Sequence, residues 1–284
     1  MEKIAVVTDT GSNLSFEQAK ELGIYLLPLQ ITIDETTYQD TLEISTQDIY
    51  NELANGKMPK TSMAAYQKIY DLFEELKKEY DSVFAVPLTN GLSTNASTMQ
   101  SIARELEMNV HVIDMYATCA LEKHVAIWIK KLVDEHKSSE EILKIIQPAI
   151  DESNSLILVK NLQHLKRGGR LTPMAATLAG LLKIYPVLHI NKSTEGRIDV
   201  LNKVRTEKRA DAYAIDKIMD DIDIQHTHIY IIHSNFLEGA NHFKKCFIEK
   251  GVPEQNIHID YISSVIAVHT GLGCIAIQYI REEN

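Results

Sequence analysis

The sequence lacks the paired cysteines and the long apolar runs that mark many secreted and membrane-spanning proteins. Its three cysteines, Cys119, Cys246 and Cys274, are odd in number, widely spaced and without a C-x-x-C motif. Reduced thiols in a cytoplasm are therefore the simplest expectation. No window approaches the ~18–20 consecutive apolar residues of a membrane helix, and the first ten residues have the pattern of a strand rather than of a signal peptide. We expect a cytoplasmic protein with no integral membrane association.

Several catalytic motifs are also missing. There is no H-E-x-x-H motif and no cluster of cysteine and histidine that would indicate a metal site. Gly168-Gly169 have neither the spacing nor the Gly-Lys-Ser/Thr ending of a nucleotide-binding loop, and Ser93 lacks the second glycine of a G-x-S-x-G elbow. Gly11 stands where an aspartyl phosphotransferase built on Asp9 needs a second acid. The sequence thus predicts a protein that performs no chemistry alone and that needs no cofactor.

Charge and length narrow the class further. The formal net charge is −10, and a surface of that sign repels nucleic acid, so nucleic acid is not an expected partner. A hydrophobic share of 45% and a charged share of 24% are typical of a globular protein. The 284 residues are long for one domain and suit two domains of ordinary size.

The first half of the chain alternates strand-like and helical segments. Such alternation predicts a parallel sheet covered by helices on both faces, and we predict a three-layer α/β/α domain over residues 1–153. Polar residues follow three of the strands, at Asp9–Ser12, Thr89–Ser93 and Asp114. Because the carboxyl ends of parallel strands share one edge, and ligands of open α/β sheets bind outside it, we expect a ligand site there.

The second half has a different rhythm, in which strand-like runs are separated by helices of unequal length. A turn at Thr194–Arg197 has the composition of a hairpin connection between two of these runs. We predict a C-terminal α+β domain with a mixed sheet over residues 154–284.

A cationic turn is predicted in the middle of this second half. Lys166, Arg167 and Arg170 flank Gly168 and Gly169, and two adjacent glycines let the backbone bend sharply or approach a ligand closely.

An apolar helix is predicted directly after this turn. Thr172 and Pro173 have the pattern of an N-cap and a first helical position, and the helix predicted from Met174 to Leu182 is almost wholly apolar. Charge beside an apolar slot suits a lipid carboxylate, whose head binds cations and whose tail needs hydrocarbon. The alternative is a solvated basic loop that leads into a core helix.

Six short motifs occur in the order and spacing of one known family. They are VTDTGSN (7–13), KTSM (60–63), TNGLST (89–94), HLKRGGRL (164–171), KVRT (203–206) and HTGLG (269–273). On these motifs, which span nearly the whole chain, the sequence resembles the DegV family. The resemblance implies two α/β domains that hold a long-chain fatty acid between them. Because some members are the lipid-binding subunit of a bacterial fatty-acid kinase, it also implies a separate ATP-binding partner that phosphorylates the acyl carboxylate.

The resemblance further implies which residues bind the ligand. Two of the family's hydroxyls and its C-terminal histidine have counterparts here, and the residues expected to bind the carboxylate are Thr61, Ser62, Ser93 and His269. The residues expected to support the head group or to face the partner are Arg170, Arg205, Gly168 and Gly169. No catalytic residue and no metal ligand is expected.

The sequence departs from the family pattern beside these positions. Met63-Ala64 stand where a Gln-Pro pair is usual, and Thr94-Asn95 stand where Gly-Thr is usual. Leu272 stands where proline is common. These differences leave the hydroxyls in place and change the segments around them.

Hydrogen-bonding chemistry agrees with a carboxylate ligand. A carboxylate accepts readily from hydroxyls, from imidazole and from backbone amides at helix starts. Thr61 and Ser93 each precede a predicted helix, so hydroxyl and helix dipole would face one anion. For each the alternative is an N-cap without a ligand, and for His269 it is a structural histidine. For the whole protein the alternative is an enzyme that acts on a small phosphate or sugar metabolite at the carboxyl edge of the N-terminal sheet.

Overall fold

In the computed structural model, which describes residues 2–181 and 184–282, the first half of the chain is built around a parallel sheet. Its strands are β1 (Ile4–Asp9), β2 (Tyr25–Leu27), β6 (Ser82–Val86) and β7 (Val110–Val112), in the order β2-β1-β6-β7. All three pairings are parallel. Every residue of β1 and of β6 is buried, as expected for central strands of a sheet covered on both faces.

A small antiparallel sheet stands beside the parallel one. It consists of β3 (Gln30–Ile33), β4 (Thr36–Gln39) and β5 (Lys60–Ser62), in the order β4-β3-β5. Thr61 pairs with Ile31 in this sheet. Thr61 was expected to precede a helix and no strand was predicted at this position, so β5 is a correction.

Six α-helices accompany these strands. They are α1 (Phe16–Leu22), α2 (Thr46–Ala54), α3 (Tyr66–Leu76), α4 (Asn95–Glu105), α5 (Ala120–Asp134) and α6 (Ser139–Glu152). α1 begins at Ser15, whose side chain accepts from the Gln18 amide while Gln18 bonds back to Ser15. α2 begins in the same way at Ser45. Such reciprocal caps satisfy amide groups that the first turn leaves open, and they fix where a helix begins.

The second half forms a six-stranded mixed sheet in the order β10-β9-β8-β13-β11-β12. Its strands are β8 (Asn154–Leu158), β9 (Tyr185–Ile190), β10 (Asp199–Val204), β11 (Thr227–His233), β12 (Ile257–Tyr261) and β13 (Ile275–Arg281). β11 and β12 are parallel, and the other neighbours are antiparallel. The α-helices here are α7 (Leu162–Gly168), α8 (Pro173–Leu178), α9 (Glu207–Asp221), α10 (Leu237–Glu249) and α11 (Ser264–Thr270). Short 3₁₀ turns occupy Thr10–Ser12, Lys192–Thr194 and Glu254–Asn256.

Helices α5 and α6 lie between the two large sheets. Leu121 and Val125 of α5 pack in one buried cluster with Phe84 of the parallel sheet and Ile280 of the mixed sheet. On its other face the mixed sheet is covered by α9 and α10. The predicted α/β architecture, with a parallel sheet followed by a separate mixed sheet, is confirmed.

Two segments near the centre of the chain differ from expectation. Lys166 and Arg167 were predicted in a turn but lie in the last turn of α7, and Gly169 ends that helix in the left-handed region at φ 72°. α8 begins at Thr172-Pro173 as predicted but ends at Leu178, because Ala179 takes an extended conformation with ψ 119°. Gly180 follows with φ 104°, which a helix does not use either. The remainder of the predicted helix reaches Leu182, which lies outside the described residues.

Candidate functional site

A cavity of about 580 Å³ is lined by residues from both halves of the chain, and we call it the main cavity. Its volume is within the range of ~300–1,000 Å³ typical of small-molecule sites. Four segments supply most of its wall: residues 61–63, 88–94, 169–173 and 265–270. The second of these follows β6, so the cavity lies at the carboxyl edge of the parallel sheet, where a ligand site was expected.

The two halves of the chain meet at a hydroxyl–imidazole contact in this cavity. The Thr61 hydroxyl on β5 and Nε2 of His269 on α11 are 2.7 Å apart. Thr61 lies on a strand, and α3 begins only at Tyr66 with Ala65 as its N-cap. The interpretation of Thr61 as a residue at a helix start is therefore wrong, because its pairing in the small sheet aims the hydroxyl at α11.

His269 is held in its neutral form. Burial and, to a smaller extent, the nearby Arg170 cation lower its pKa to about 3, although a hydrogen bond with the Gly168 backbone acts in the opposite direction. In a neutral imidazole one ring nitrogen donates and the other accepts, so the ring can bond to the Gly168 backbone and to Thr61 together. A bound anion would compensate for the local positive charge and favour protonation of the ring.

Two glycines at the end of α7 have different roles beside this contact. A side chain at Gly168 would put its Cβ 3.1 Å from His269 Nδ1, so glycine allows α7 to approach α11. Gly169 takes the left-handed conformation that turns the chain into the main cavity. Arg170 follows, donates to the Gly168 carbonyl at 2.9 Å and lines the main cavity. Burial lowers its pKa.

Ser93 lies on a loop whose two ends are held by hydrogen bonds to Asp9. The Asp9 carboxylate is fully buried, and it accepts from the Gly11 amide at 2.8 Å, from the Leu88 amide at 2.9 Å and from Asn95 Nδ2 at 2.7 Å. Because Leu88 and Asn95 stand at the two ends of the loop, Asp9 holds both. Ser93 accepts from the Asn95 amide at 3.2 Å, close to the start of α4 as predicted.

The positions that depart from the family pattern contact one another or the core. The hydroxyls of Thr94 and Thr98 lie 3.6 Å and 3.4 Å from Met63 Sδ, so Met63 joins the segment after β5 to the start of α4. Asn95 binds Asp9, as described above. Leu272 packs against the buried cluster between α11 and the mixed sheet.

A narrow apolar chamber adjoins the main cavity. Its volume is about 30 Å³, and four residues line both spaces: Leu92, Ile198, Ile266 and Thr270. More than half of the residues that line it are aliphatic, and Ile157, Ile190 and Ile232 of the mixed sheet are among them. Gln278 also lines it, and this side chain donates to the Thr118 carbonyl and to Ser155, each at 2.9 Å.

The structure brings together some of the expected residues and separates others. The main cavity is lined by Thr61, Ser62, Ser93, His269, Arg170 and Gly169, and Gly168 packs against His269. Arg205 is exposed between β10 and α9 and does not line the main cavity. Met174 of α8 is 64% exposed, so the wall of the apolar chamber comes from the mixed sheet and α11 rather than from α8.

Sequence reasoning missed Arg197 as a residue of the site. It follows the turn that ends at Gly196, which packs directly on Gly91 and Thr89 of the Ser93 loop, and it lines the main cavity. A cation at the end of a predicted hairpin turn was the available signal.

Within residues 2–181 and 184–282, no group of three or more histidine, cysteine, aspartate or glutamate side chains could hold a metal ion. The same ranges contain no helix whose length and hydropathy would let it cross a membrane.

Comparison with known proteins agrees with this architecture. The family model described as uncharacterised protein, DegV family, matches residues 3–282. A DegV domain-containing protein of Halalkalibacterium halodurans is 32% identical over 289 residues, with both chains fully covered. Among solved structures, a fatty-acid-binding DegV family protein from Streptococcus agalactiae has a TM-score of 0.91 at 29% identity over all of both chains. DegV of Bacillus subtilis, described as a fatty-acid-binding protein, has a TM-score of 0.86 at 27% identity over 99% of this chain and 100% of that one. The chain belongs to the DegV family.

Proposed function

We propose that this protein binds one long-chain fatty acid between its two predicted domains, 1–153 and 154–284, and performs no chemistry on it alone. One observation carries the proposal: the main cavity, which is lined by hydroxyls, an imidazole and arginines, adjoins a chamber lined mainly by aliphatic side chains. The solved relatives from S. agalactiae and B. subtilis, which are described as fatty-acid-binding, support it.

The carboxylate would bind where Thr61, Ser93 and His269 converge. Ser62 lines the same wall, although its hydroxyl donates to Gln30 at 3.1 Å and is less available. Arg170 supplies positive charge beside His269 without a carboxylate partner of its own among the described residues. A cation and several hydroxyl donors in a partly buried site are the groups that an anion needs when it leaves water.

The acyl tail would enter the apolar chamber. Each buried methylene contributes ~0.8 kcal/mol, so a sixteen-carbon tail supplies roughly 10 kcal/mol before entropy costs. The chamber of about 30 Å³ is far smaller than such a tail. Binding therefore requires the walls between the mixed sheet and α11 to move apart, and the tail replaces contacts among their side chains.

We further propose that the bound carboxylate is presented to a separate ATP-binding kinase subunit. Arg197 is exposed and lines the main cavity, so it supplies a cation that suits a partner carrying phosphate. The cytoplasmic location expected from the three unpaired cysteines agrees with such a partner.

Mass spectrometry of an organic extract from the purified protein tests the proposal. We expect about one mole of a long-chain fatty acid per mole of protein. After delipidation, added palmitate should restore the stoichiometry and raise Tm, because a ligand that binds only the folded state stabilises it. Extracts with only traces of mixed lipid, together with no uptake of palmitate, would contradict it.

A further inference from the structure

A buried acid fixes the helix that carries His269. Asp40 follows β4, and its side chain is fully buried. Its amide donates to the Leu29 carbonyl at 2.9 Å, and it pairs with Ile44 across a short bridge. The carboxylate is thereby held on the small sheet that also bears Thr61.

α11 is attached to that small sheet at both of its ends. At its start, the Ser264 hydroxyl donates to Asp40 Oδ1. In its last turn, His269 contacts Thr61 of β5. Between these two points, Val265 and Ile266 line the main cavity, so the position of α11 sets the shape of that wall.

A ligand would compete for only one of the two attachments. If the proposed function is correct, a fatty-acid carboxylate takes hydrogen bonds from Thr61 and His269 and weakens their mutual contact. The contact between Asp40 and Ser264 is then the remaining polar attachment of α11 to the small sheet.

The Asp40 carboxylate is poorly compensated where it lies. Its second oxygen, Oδ2, is buried without a hydrogen-bond partner among the described residues. The Asp9 carboxylate at the end of β1 repels it electrostatically, and no cation of the described chain forms an ion pair with it. Burial, with a smaller contribution from Asp9, raises the pKa of Asp40 from 3.8 to about 6, although Ser264, Thr10 and Thr41 act in the opposite direction.

The direction of the effect on α11 follows from hydration. If α11 moves away from the small sheet, Ser264 leaves and water reaches Asp40. Because water stabilises the ionised carboxylate more than the neutral acid, ionisation favours the separated arrangement and protonation favours the attached one. Above about pH 6 the attachment of α11 is therefore at its weakest.

We propose that Asp40 is a positioning residue whose ionisation weakens the attachment of α11 to the small sheet. Asp40 thereby sets how fast lipid enters and leaves the main cavity. The statement about lipid rests on the proposed function, whereas the statement about α11 does not. A buried carboxylate that has no ion pair among the described residues thus allows the wall formed by α11 to open for an acyl tail.

Other titratable groups near α11 can be separated from Asp40. Asp9 acts on it electrostatically, and Glu122 on α5 interacts with Asp9; burial raises the pKa of both. On α7, which packs against α11, His164 Nε2 donates to the Val268 carbonyl at 2.9 Å. His269, at the far end of α11, has a pKa of about 3 and stays neutral through most of this range. Because these groups are unchanged in an Asp40 variant, the difference between variant and parent isolates Asp40.

Hydrogen–deuterium exchange of residues 264–270 in the ligand-free protein, from about pH 4 to about pH 7, tests the proposal. After correction for intrinsic exchange, protection in the parent should fall by up to about a hundredfold between the two pKa values, since two pKa units correspond to that factor. Asp40→Asn, which cannot ionise, should keep high protection at every pH. Glu43→Gln, an exposed carboxylate that accepts from the Gln39 amide nearby, should behave as the parent.

A second variant keeps the test decisive if Asp40→Asn folds poorly. Ser264→Ala retains the acid and removes its donor, so protection should be lower at all pH values while the pH dependence persists. The release rate of bound palmitate should follow the same order: slowest in Asp40→Asn and fastest in Ser264→Ala. An α11 whose protection responds to pH identically in the parent and in Asp40→Asn would overturn the proposal. Failure to bind palmitate with the exchange pattern intact would overturn only the proposed function.

Discussion

At the scale of single residues, the site depends on side chains that donate to an anion. Replacing either Thr61 or Ser93 by alanine removes one hydroxyl from a buried carboxylate, a loss of about 1.5–3 kcal/mol. We therefore expect palmitate affinity to fall roughly ten- to a hundredfold in each variant, as measured by equilibrium binding. The double variant should show coupling, because both residues contact one ligand.

Two controls accompany these variants. Ser97→Ala removes an exposed hydroxyl of α4 that bonds to the Thr94 carbonyl, outside the main cavity, and should leave affinity unchanged. Palmitate methyl ester carries no charge, so the parent and both variants should bind it alike. Equal losses for acid and ester would mean that the hydroxyls act on the fold rather than on the carboxylate.

His269 makes stability depend on pH. Its pKa is about 3 in the folded protein against an ordinary 6.5, so the unfolded chain binds a proton that the folded chain does not. The difference in pKa does not affect the free energy of unfolding above about pH 6.5, and it lowers that free energy as the pH falls from 6.5 towards 3. When the pH falls from 7 to 4, His269→Gln should therefore lose about 3 kcal/mol less unfolding free energy than the parent. Denaturation at the two pH values measures this difference.

An exposed histidine provides the comparison. His136 lies at a helix end with φ 63°, a conformation that asparagine tolerates, so His136→Asn should retain the parent's acid sensitivity. A His269→Gln protein that loses as much stability in acid as the parent would show that the ring is protonated in the fold.

At the scale of elements, sequence patterns predicted helix starts well and short strands poorly. The cap at Thr172 was predicted, because it is decided by a side chain and an amide three residues away. β5 has only three residues and exists through its pairing with β3, which no local pattern records. α8 illustrates the opposite error, since an apolar run was extended across Gly180.

The same distinction applies to the site. Thr61, Ser93 and His269 were identified through family motifs, and the structure puts all three around the main cavity. Arg205 was assigned in the same way but is exposed away from it. The apolar chamber was not predicted, because its wall includes residues of β8, β9, β11, β13 and α11, and only the fold brings these together. The contact between Asp40 and Ser264 was not predicted for the same reason, because the two residues are 224 positions apart in the sequence.

At the scale of the whole molecule, Arg170 connects lipid binding with the proposed partner. It is half-buried, lines the main cavity and stands beside His269. In the presence of ATP, Mg²⁺, palmitate and a cognate kinase subunit, Arg170→Ala should reduce acyl-phosphate formation more than it reduces palmitate affinity. The reason is that hydroxyls still hold the ligand, whereas the charge near the reacting group is lost.

Arg167→Ala is the matched control, because Arg167 is exposed on α7 and should affect neither measurement strongly. The isolated chain with ATP, Mg²⁺ and palmitate should form no acyl phosphate. Equal phosphorylation with Arg170→Ala and with the parent would remove Arg170 from the site.

The layer of helices between the sheets contains the protein's only tryptophan. Trp128 of α5 is 5% exposed, belongs to the buried cluster that joins the parallel sheet to Ile280 of the mixed sheet, and has the His124 ring 5.9 Å away. The chain thus carries one indole, which can be excited separately from its twelve tyrosines, at the position where its two halves meet. Its emission reports on that junction rather than on either sheet alone. Unfolding that separates the two halves should therefore change the tryptophan emission, a single optical signal that needs no added label.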